Sequence, residues 1–161
     1  MLEIRSKKAD KGMSIIEIVV VVSIAIIGVM SILQLFNVEI RAERLRREEL
    51  SVYALLAESL EAVRSVRDAD WANISSLSTG TNYYPEISGS SWILSNLDPG
   101  PIDGFTRWIV VDEVRRDANF DITDSGGVID ADTLKIIAYA EWESYGITKT
   151  KSITMYLTNW Q

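Results

Sequence analysis

The organisation of the chain is decided by residues 11–36, which read KGMSIIEIVVVVSIAIIGVMSILQLF. A short charged segment ends at Gly12, and the 24 residues from Met13 to Phe36 contain one charged side chain, that of Glu17. As an α-helix these residues would be about 36 Å long, against a bilayer hydrocarbon core of about 30 Å. Residues 13–36 are therefore predicted to form a helix that can cross a membrane.

The segment before this helix is basic. Residues 1–12 carry four basic and two acidic side chains, a net charge of +2. A basic flank is expected to stay on the cytoplasmic side of a membrane. The other flank, residues 37–49, carries four arginines and four glutamates. Since acidic residues count little in this rule, charge alone does not fix the orientation.

Residues 5–36 resemble the N-terminal signal of type IV prepilins and of the pseudopilins of type II secretion. In that family a membrane peptidase cleaves after a glycine, the new N-terminal residue is N-methylated, and a glutamate four residues further on serves assembly. The resemblance implies cleavage between Gly12 and Met13, N-methylation of Met13 and an assembly role for Glu17. Its implied partners are a prepilin peptidase, other pilin or pseudopilin subunits and the cytoplasmic membrane.

Two positions depart from the family pattern. Met13 stands where the family usually has phenylalanine, and the late part of the apolar run has Gln34 near the place where many major pilins have a proline. A carboxylate inside a membrane span costs about 2.5–3.5 kcal/mol at the helix centre and less near an end. The expected partner of Glu17 is the α-amine of a cleaved Met13, in the same chain or in a neighbouring subunit.

The alternative is an uncleaved, single-pass anchor for an extracytoplasmic binding or adhesion protein. It explains the apolar run but explains neither Gly12 nor Glu17. An ordinary secretory signal peptide fits less well, because the run exceeds the usual 7–15 residues and no small-residue cleavage site follows it.

Composition excludes several classes of function. The 161 residues include no cysteine and no histidine, so disulfides and Ser-His or Cys-His catalysis are excluded. Without residues 1–12 the chain has 12 basic and 21 acidic residues, a net charge of −9. This charge disfavours binding to nucleic acid, which needs basic residues to neutralise phosphates. The sequence contains no catalytic constellation, and we expect no enzyme activity.

Residues 37–161 are predicted to form a globular head. Residues 37–67 should continue the helix, because no glycine or proline lies between Met30 and Gly80. Apolar residues recur there at helical spacing and predict a face that packs on a sheet. These residues are Leu45, Val52, Leu56, Leu60, Val63 and Val66, with Tyr53 and Leu55 beside them.

The rest of the head is predicted as a loop followed by an antiparallel sheet. Residues 68–105 are rich in Ser, Asn, Gly and Thr, which favours a loop on which Trp71 and Trp92 pack, while the role of Tyr83 and Tyr84 stays open. Within 106–161, alternating residues predict strands over 106–115, 133–143 and 152–160, with a turn at 144–146. The predicted fold is α+β, a long N-terminal helix packed on a C-terminal antiparallel sheet, which is also the layout that the pilin resemblance implies.

One cluster has the character of a metal site. Asp117, Asn119 and Asp121 alternate as the first three ligands of an EF-hand calcium loop do. Ile122 and Val128 then stand where that motif needs a glycine and a glutamate. Calcium is thus a weak prediction, and the simpler interpretation is a polar loop between strands, with residues 130–132 forming a turn.

The sequence thus predicts a structural subunit, a minor pilin or pseudopilin of a type IV pilus or a type II secretion-like fibre. Its location would be the inner membrane, with the head outside the cytoplasm, and then the fibre. The residues do not distinguish motility, adhesion, DNA uptake and secretion as the purpose of that fibre.

Overall fold

The computed structural model describes residues 14–160. They form α1 (Ile15–Ala69), α2 (Ala72–Ser75), β1 (Asn82–Ser88), β2 (Ser91–Ser95), β3 (Phe105–Arg116), β4 (Ile122–Thr123), β5 (Val128–Ser144) and β6 (Ile147–Thr158). The chain divides into two compact units, residues 1–47 and 48–161. The predicted α+β class, a long helix and an antiparallel sheet, is confirmed.

In the second unit, the last part of α1 packs on the sheet through the predicted apolar face. Five of the six predicted residues are buried there, Val52, Leu56, Leu60, Val63 and Val66. They join one hydrophobic core with residues of β1, β3, β5 and β6. Helical spacing places these side chains on one face, and burial of that face, more than helix propensity, holds the helix in place. The sixth residue, Leu45, belongs to the N-terminal unit.

The sheet has the strand order β2-β1-β3-β5-β6, with β4 paired to β3, and all its pairs are antiparallel. β5 lies between β3 and β6, and the predicted alternation along it is confirmed. Ile136, Ala138, Ala140 and Trp142 face the core and are buried. The predicted turn is also confirmed, since Tyr145 and Gly146 link β5 to β6 with φ angles of 54° and 74°. Two consecutive positive φ angles are typical of a type I′ turn, whose twist suits a two-residue hairpin.

The loop predicted over residues 68–105 is wrong in part. This segment contains α2 and the hairpin of β1 and β2, whose two-residue turn is Gly89 and Ser90. Its Ser, Gly and Asn content suggested a loop, but the buried side chains of Tyr83 and Tyr84 fix β1 as a strand. The Tyr83 hydroxyl also accepts the N–H of Ser78 at 2.9 Å. Tyr83 is therefore structural, Tyr84 is buried as well, and both predicted tryptophans pack against the core.

The turn predicted at residues 130–132 is also wrong, because these residues lie inside β5. The register between β3 and β5 shifts after the Glu113–Leu134 pair, and the next pair is Val114–Asp130. Residues 131–133 therefore have no partner on β3 and form a bulge. A bulge and a turn share the same local sequence signs, small and acidic residues, so the sequence did not distinguish them.

Two consecutive glycines lie just before β5 and test how this strand is connected to β3 and β4. Gly126 and Gly127 have φ angles of 73° and 71°, which glycine adopts without strain. A Cβ at Gly127 would overlap the carbonyl group of Arg116, whereas a Cβ at Gly126 meets nothing within 4 Å. We expect Gly127→Ala to lower the free energy of unfolding by about 2–3 kcal/mol and Gly126→Ala by about 1 kcal/mol. Urea unfolding followed by tryptophan fluorescence measures both, and equal losses would contradict the predicted overlap.

Candidate functional site

The first half of α1 is apolar over its whole circumference. Every large apolar side chain from Ile15 to Ile40 is exposed, with values from 49% to 82%. A soluble monomer rarely exposes a continuous apolar patch of more than a few hundred Å². Among residues 14–160, α1 is the one helix long and apolar enough to cross a membrane, by length and composition. This segment needs an apolar partner, either lipid or other helices.

Glu17 lies in the first turn of this helix. The carbonyl oxygen of Ser14 accepts the N–H groups of Glu17 at 3.0 Å and of Ile18 at 3.2 Å, which begins the helix just before the carboxylate. A negative charge in the first turn is favoured by the helix dipole. None of the ion pairs between residues of the 14–160 segment includes Glu17. The carboxylate thus lies at the N-terminal end of the apolar half of α1.

The predicted cleavage residues are not placed by the structure. Gly12 and Met13 lie outside the described residues. Cleavage after Gly12, N-methylation of Met13 and pairing of the Met13 amine with Glu17 therefore stay predictions.

The hydroxyls of two serines inside the apolar run are satisfied within the helix. Ser23 donates its hydroxyl to the Val19 carbonyl at 2.8 Å, and Ser31 donates to the Ile27 carbonyl at 2.8 Å. A Cβ at Gly28 would meet nothing within 4 Å. Since polar groups in a bilayer need internal partners, these two serines can lie in an apolar phase without leaving their hydroxyls unpaired.

The acidic loop predicted as a weak calcium site is held by its own hydrogen bonds. Asp117 Oδ1 accepts the N–H groups of Asn119 at 2.8 Å and Asp121 at 3.0 Å. Arg116 Nη1 donates to the carbonyl oxygen of Phe120 at 2.9 Å. In the described part of the chain, no group of three or more acidic side chains is arranged to hold a metal ion. The geometry thus gives Asp117 an internal role and adds no support for calcium.

The same arginine also pairs with a carboxylate on β5. Arg116 Nε donates to Asp130 Oδ2 at 2.6 Å, with 31% and 19% of the two side chains exposed. This hydrogen bond, helped by Thr133, holds the pKa of Asp130 below its usual value of 3.8. A carboxylate with a lowered pKa stabilises the folded state above its unfolded pKa, and loses that effect as the pH falls through the folded pKa.

Asp130→Asn is therefore expected to lower the free energy of unfolding by about 1–2 kcal/mol at pH 7. The difference from the parent chain should shrink as the pH falls below the ordinary Asp pKa of about 3.9, because Asp130 is protonated first in the unfolded parent and, at lower pH, in the folded parent as well. Denaturant unfolding of both proteins from pH 7 down to pH 3 measures this. Asp124→Asn, which changes an exposed carboxylate in the loop between β4 and β5, is the control and should change stability little at any pH. A loss for Asp130→Asn that stays constant to pH 3 would contradict the ion pair.

The head also has an apolar cleft that the sequence did not reveal. It has a volume of about 470 Å³ and is lined by residues of α1, β1, β2 and β3, among them Tyr84, Trp92 and Phe105. Arg107 Nη1 lies 3.0 Å from Glu58 Oε2, although its N–H is not oriented as in a hydrogen bond. This ion pair links α1 to β3 beside the cleft. The cleft was missed because the hairpin that forms one wall was predicted as a loop.

In comparisons with protein-family models, with curated proteins and with solved structures, the chain has no significant match.

Proposed function

We propose that this chain is a type IV pilin-like subunit, a minor pilin or pseudopilin that is made as a prepilin. The observation that carries the proposal is the coincidence of three features in one segment. These are a glycine at the end of a basic leader, a carboxylate in the first helical turn at Glu17, and an apolar surface that continues without another charge to Phe36. A plain membrane anchor needs the third feature alone.

In this proposal the precursor inserts in the cytoplasmic membrane with residues 1–12 inside, and the peptidase cleaves after Gly12. Subunits then leave the membrane for a helical fibre whose core is a bundle of residues 13–36. The exposed apolar side chains of α1 exchange lipid for the same segment of neighbouring subunits, so apolar contact is maintained throughout. Glu17 sets the axial register by pairing with the N-terminal amine of a neighbour, because an unpaired charge in the core is costly.

The test is the N-terminus of the chain isolated from membranes of a host that has its native peptidase. Intact mass and N-terminal sequencing should show a chain that begins at N-methylated Met13. Gly12→Val should leave the full precursor in the membrane, because the resemblance implies a peptidase that cleaves after a glycine. A parent chain that begins at Met1 in these membranes would overturn the proposal and favour the uncleaved anchor of a binding or adhesion protein.

A further inference from the structure

The last strand leaves one edge of the sheet open. β6 is twelve residues long and is the outermost strand, and within residues 14–160 no strand pairs with its second side. Its pairing with β5 runs from Ser144–Ile147 to Thr133–Thr158 without a shift of register. The edge is therefore long and regular, and a bulge does not turn it away from an approaching strand.

The turn geometry identifies the backbone groups that face outward. Because the β5–β6 turn has two residues, Ser144 and Ile147 form a hydrogen-bonded pair, and such pairs recur at every second residue. Odd-numbered residues of β6 thus direct their N–H and C=O groups toward β5. The Asn159 N–H, which binds the Asp132 carbonyl at 2.8 Å, continues this pattern. The even-numbered residues present their N–H and C=O groups at the open edge, and their side chains are exposed. These residues are Thr148, Thr150, Ser152, Thr154, Tyr156 and Thr158.

Half of this edge lacks the features that normally block edge pairing. Residues 152–158 contain no proline, no glycine and no charge, and they are rich in residues that favour strands. The other half has two lysines, Lys149 and Lys151, on the same side of the strand as Ile153 and Met155. Lys151 Nζ lies 4.2 Å from the centre of the Tyr53 ring and 4.0 Å from a Glu49 oxygen, so this lysine is held at the edge.

The charge of β6 indicates which kind of segment can bind at its open edge. The second unit, residues 48–161, has 8 basic and 18 acidic side chains, but β6 has two lysines and no carboxylate. An incoming strand places its residues directly opposite those of β6, so that a carboxylate can face each lysine and an apolar residue can face Ile153 or Met155. A second copy of β6 cannot supply these carboxylates, since the strand has none.

We propose that the open edge of β6 binds an extended segment of another protein, which adds a strand to the sheet. The segment carries carboxylates opposite Lys149 and Lys151 and apolar residues opposite Ile153 and Met155. Backbone hydrogen bonds to the even-numbered residues supply the affinity, and the lysines select an acidic sequence.

The test uses the full chain in detergent micelles and labelled nine-residue peptides. The first two peptides have the sequences Thr-Glu-Thr-Glu-Thr-Val-Thr-Val-Thr and Thr-Val-Thr-Val-Thr-Glu-Thr-Glu-Thr. The two orders test both possible directions of the added strand. The second set has Lys in place of Glu, and the third has N-methylated amides on the edge that would pair. Fluorescence anisotropy should show binding of the acidic peptides, binding at least five-fold weaker for the lysine peptides, and none for the N-methylated ones.

Amide hydrogen exchange locates the bound peptide. The acidic peptide should slow exchange at Thr150, Ser152, Thr154 and Tyr156 by at least five-fold, and should leave the odd-numbered amides, already bonded to β5, unchanged. The variant K149E/K151E should reverse the preference toward the lysine peptides. Lys135→Glu, which changes a lysine on β5, is the control and should bind as the parent does.

Thr154→Pro removes one outward N–H and leaves the bonds between β5 and β6 in place. This variant should keep the circular dichroism spectrum of the parent and should no longer bind the acidic peptide. If the variant unfolds, the peptide preference of K149E/K151E tests the proposal instead. Equal binding of acidic and lysine peptides, or absence of protection at the even-numbered amides, would overturn the proposal. Dimerisation of the chain that protects these same amides without peptide would overturn the choice of partner.

Discussion

For the proposed pilin-like subunit, Glu17→Ala is expected to leave cleavage after Gly12 intact and to lower the amount of the chain in sheared fibres at least ten-fold. Cleavage should persist because the peptidase recognises the leader and the glycine, which the substitution does not change. Incorporation should fail because the carboxylate is the one charge between Met13 and Phe36. Without it nothing but apolar contact fixes one helix against the next, and apolar contact sets no axial register. Immunoblots of fibre and membrane fractions, with the N-terminus of each band, measure both effects.

Two control variants identify the role of the charge. Glu17→Gln keeps the size and polarity of the side chain, so a loss as large as that of Glu17→Ala would assign the effect to the negative charge. Glu39→Ala removes an exposed carboxylate further along α1 and should leave incorporation near the parent level. Normal fibres from Glu17→Ala would refute the assembly role, and failure of its cleavage would move the role of Glu17 to processing.

Leu56→Ala is expected to lower the free energy of unfolding of the head by about 3–4 kcal/mol. Leu56 is fully buried where α1 packs on the sheet, and it contributes to the same core as Ile109 and Ile136. Truncation removes apolar contacts and leaves a cavity that this rigid contact between helix and sheet cannot close. Urea unfolding of the full chain in detergent, followed by the fluorescence of the tryptophans, measures the loss.

Leu50→Ala is the matched control, because it makes the same chemical change in the same helix. Leu50 is 69% exposed, so its truncation should change stability by less than about 0.5 kcal/mol. Similar losses for the two variants would show that helix propensity, and not the core between α1 and the sheet, decides stability. That result would contradict the packing described for Val52, Leu56 and Leu60.

Much of the fold could be predicted, because the apolar residues that recur at helical or alternating spacing in the sequence are the ones that the fold buries. The spacing of Val52, Leu56 and Val63 and the alternation of Ile136, Ala138 and Ala140 gave the two surfaces that form the core. The hairpin of β1 and β2 could not be predicted in this way. Its strands are short, and the burial of Tyr83 and Tyr84 that fixes β1 depends on the rest of the head. Composition suggested a loop, and tertiary packing decided otherwise.

The candidate site shows a similar division. The apolar run and the position of Glu17 in the first helical turn follow from local sequence, since a segment of this hydropathy has few alternatives to a helix. The internal hydrogen bonds of Asp117 could not be predicted, because they depend on loop geometry that alternating oxygens alone do not determine. The open edge of β6 could not be predicted either, since a strand's position in the sheet depends on how all the other strands pair.

The hydrogen bond from the Ser144 hydroxyl to Glu48, 2.7 Å long, joins residues 96 positions apart. The face of α1 that carries Leu56 likewise finds its partners on strands that end at Thr158, close to the C-terminus. The apolar face of α1 is therefore synthesised before the strands that cover it, and it is exposed in any partly folded state in which β5 and β6 have not yet joined the sheet. Exposed apolar surface of this kind makes partly folded chains prone to aggregate.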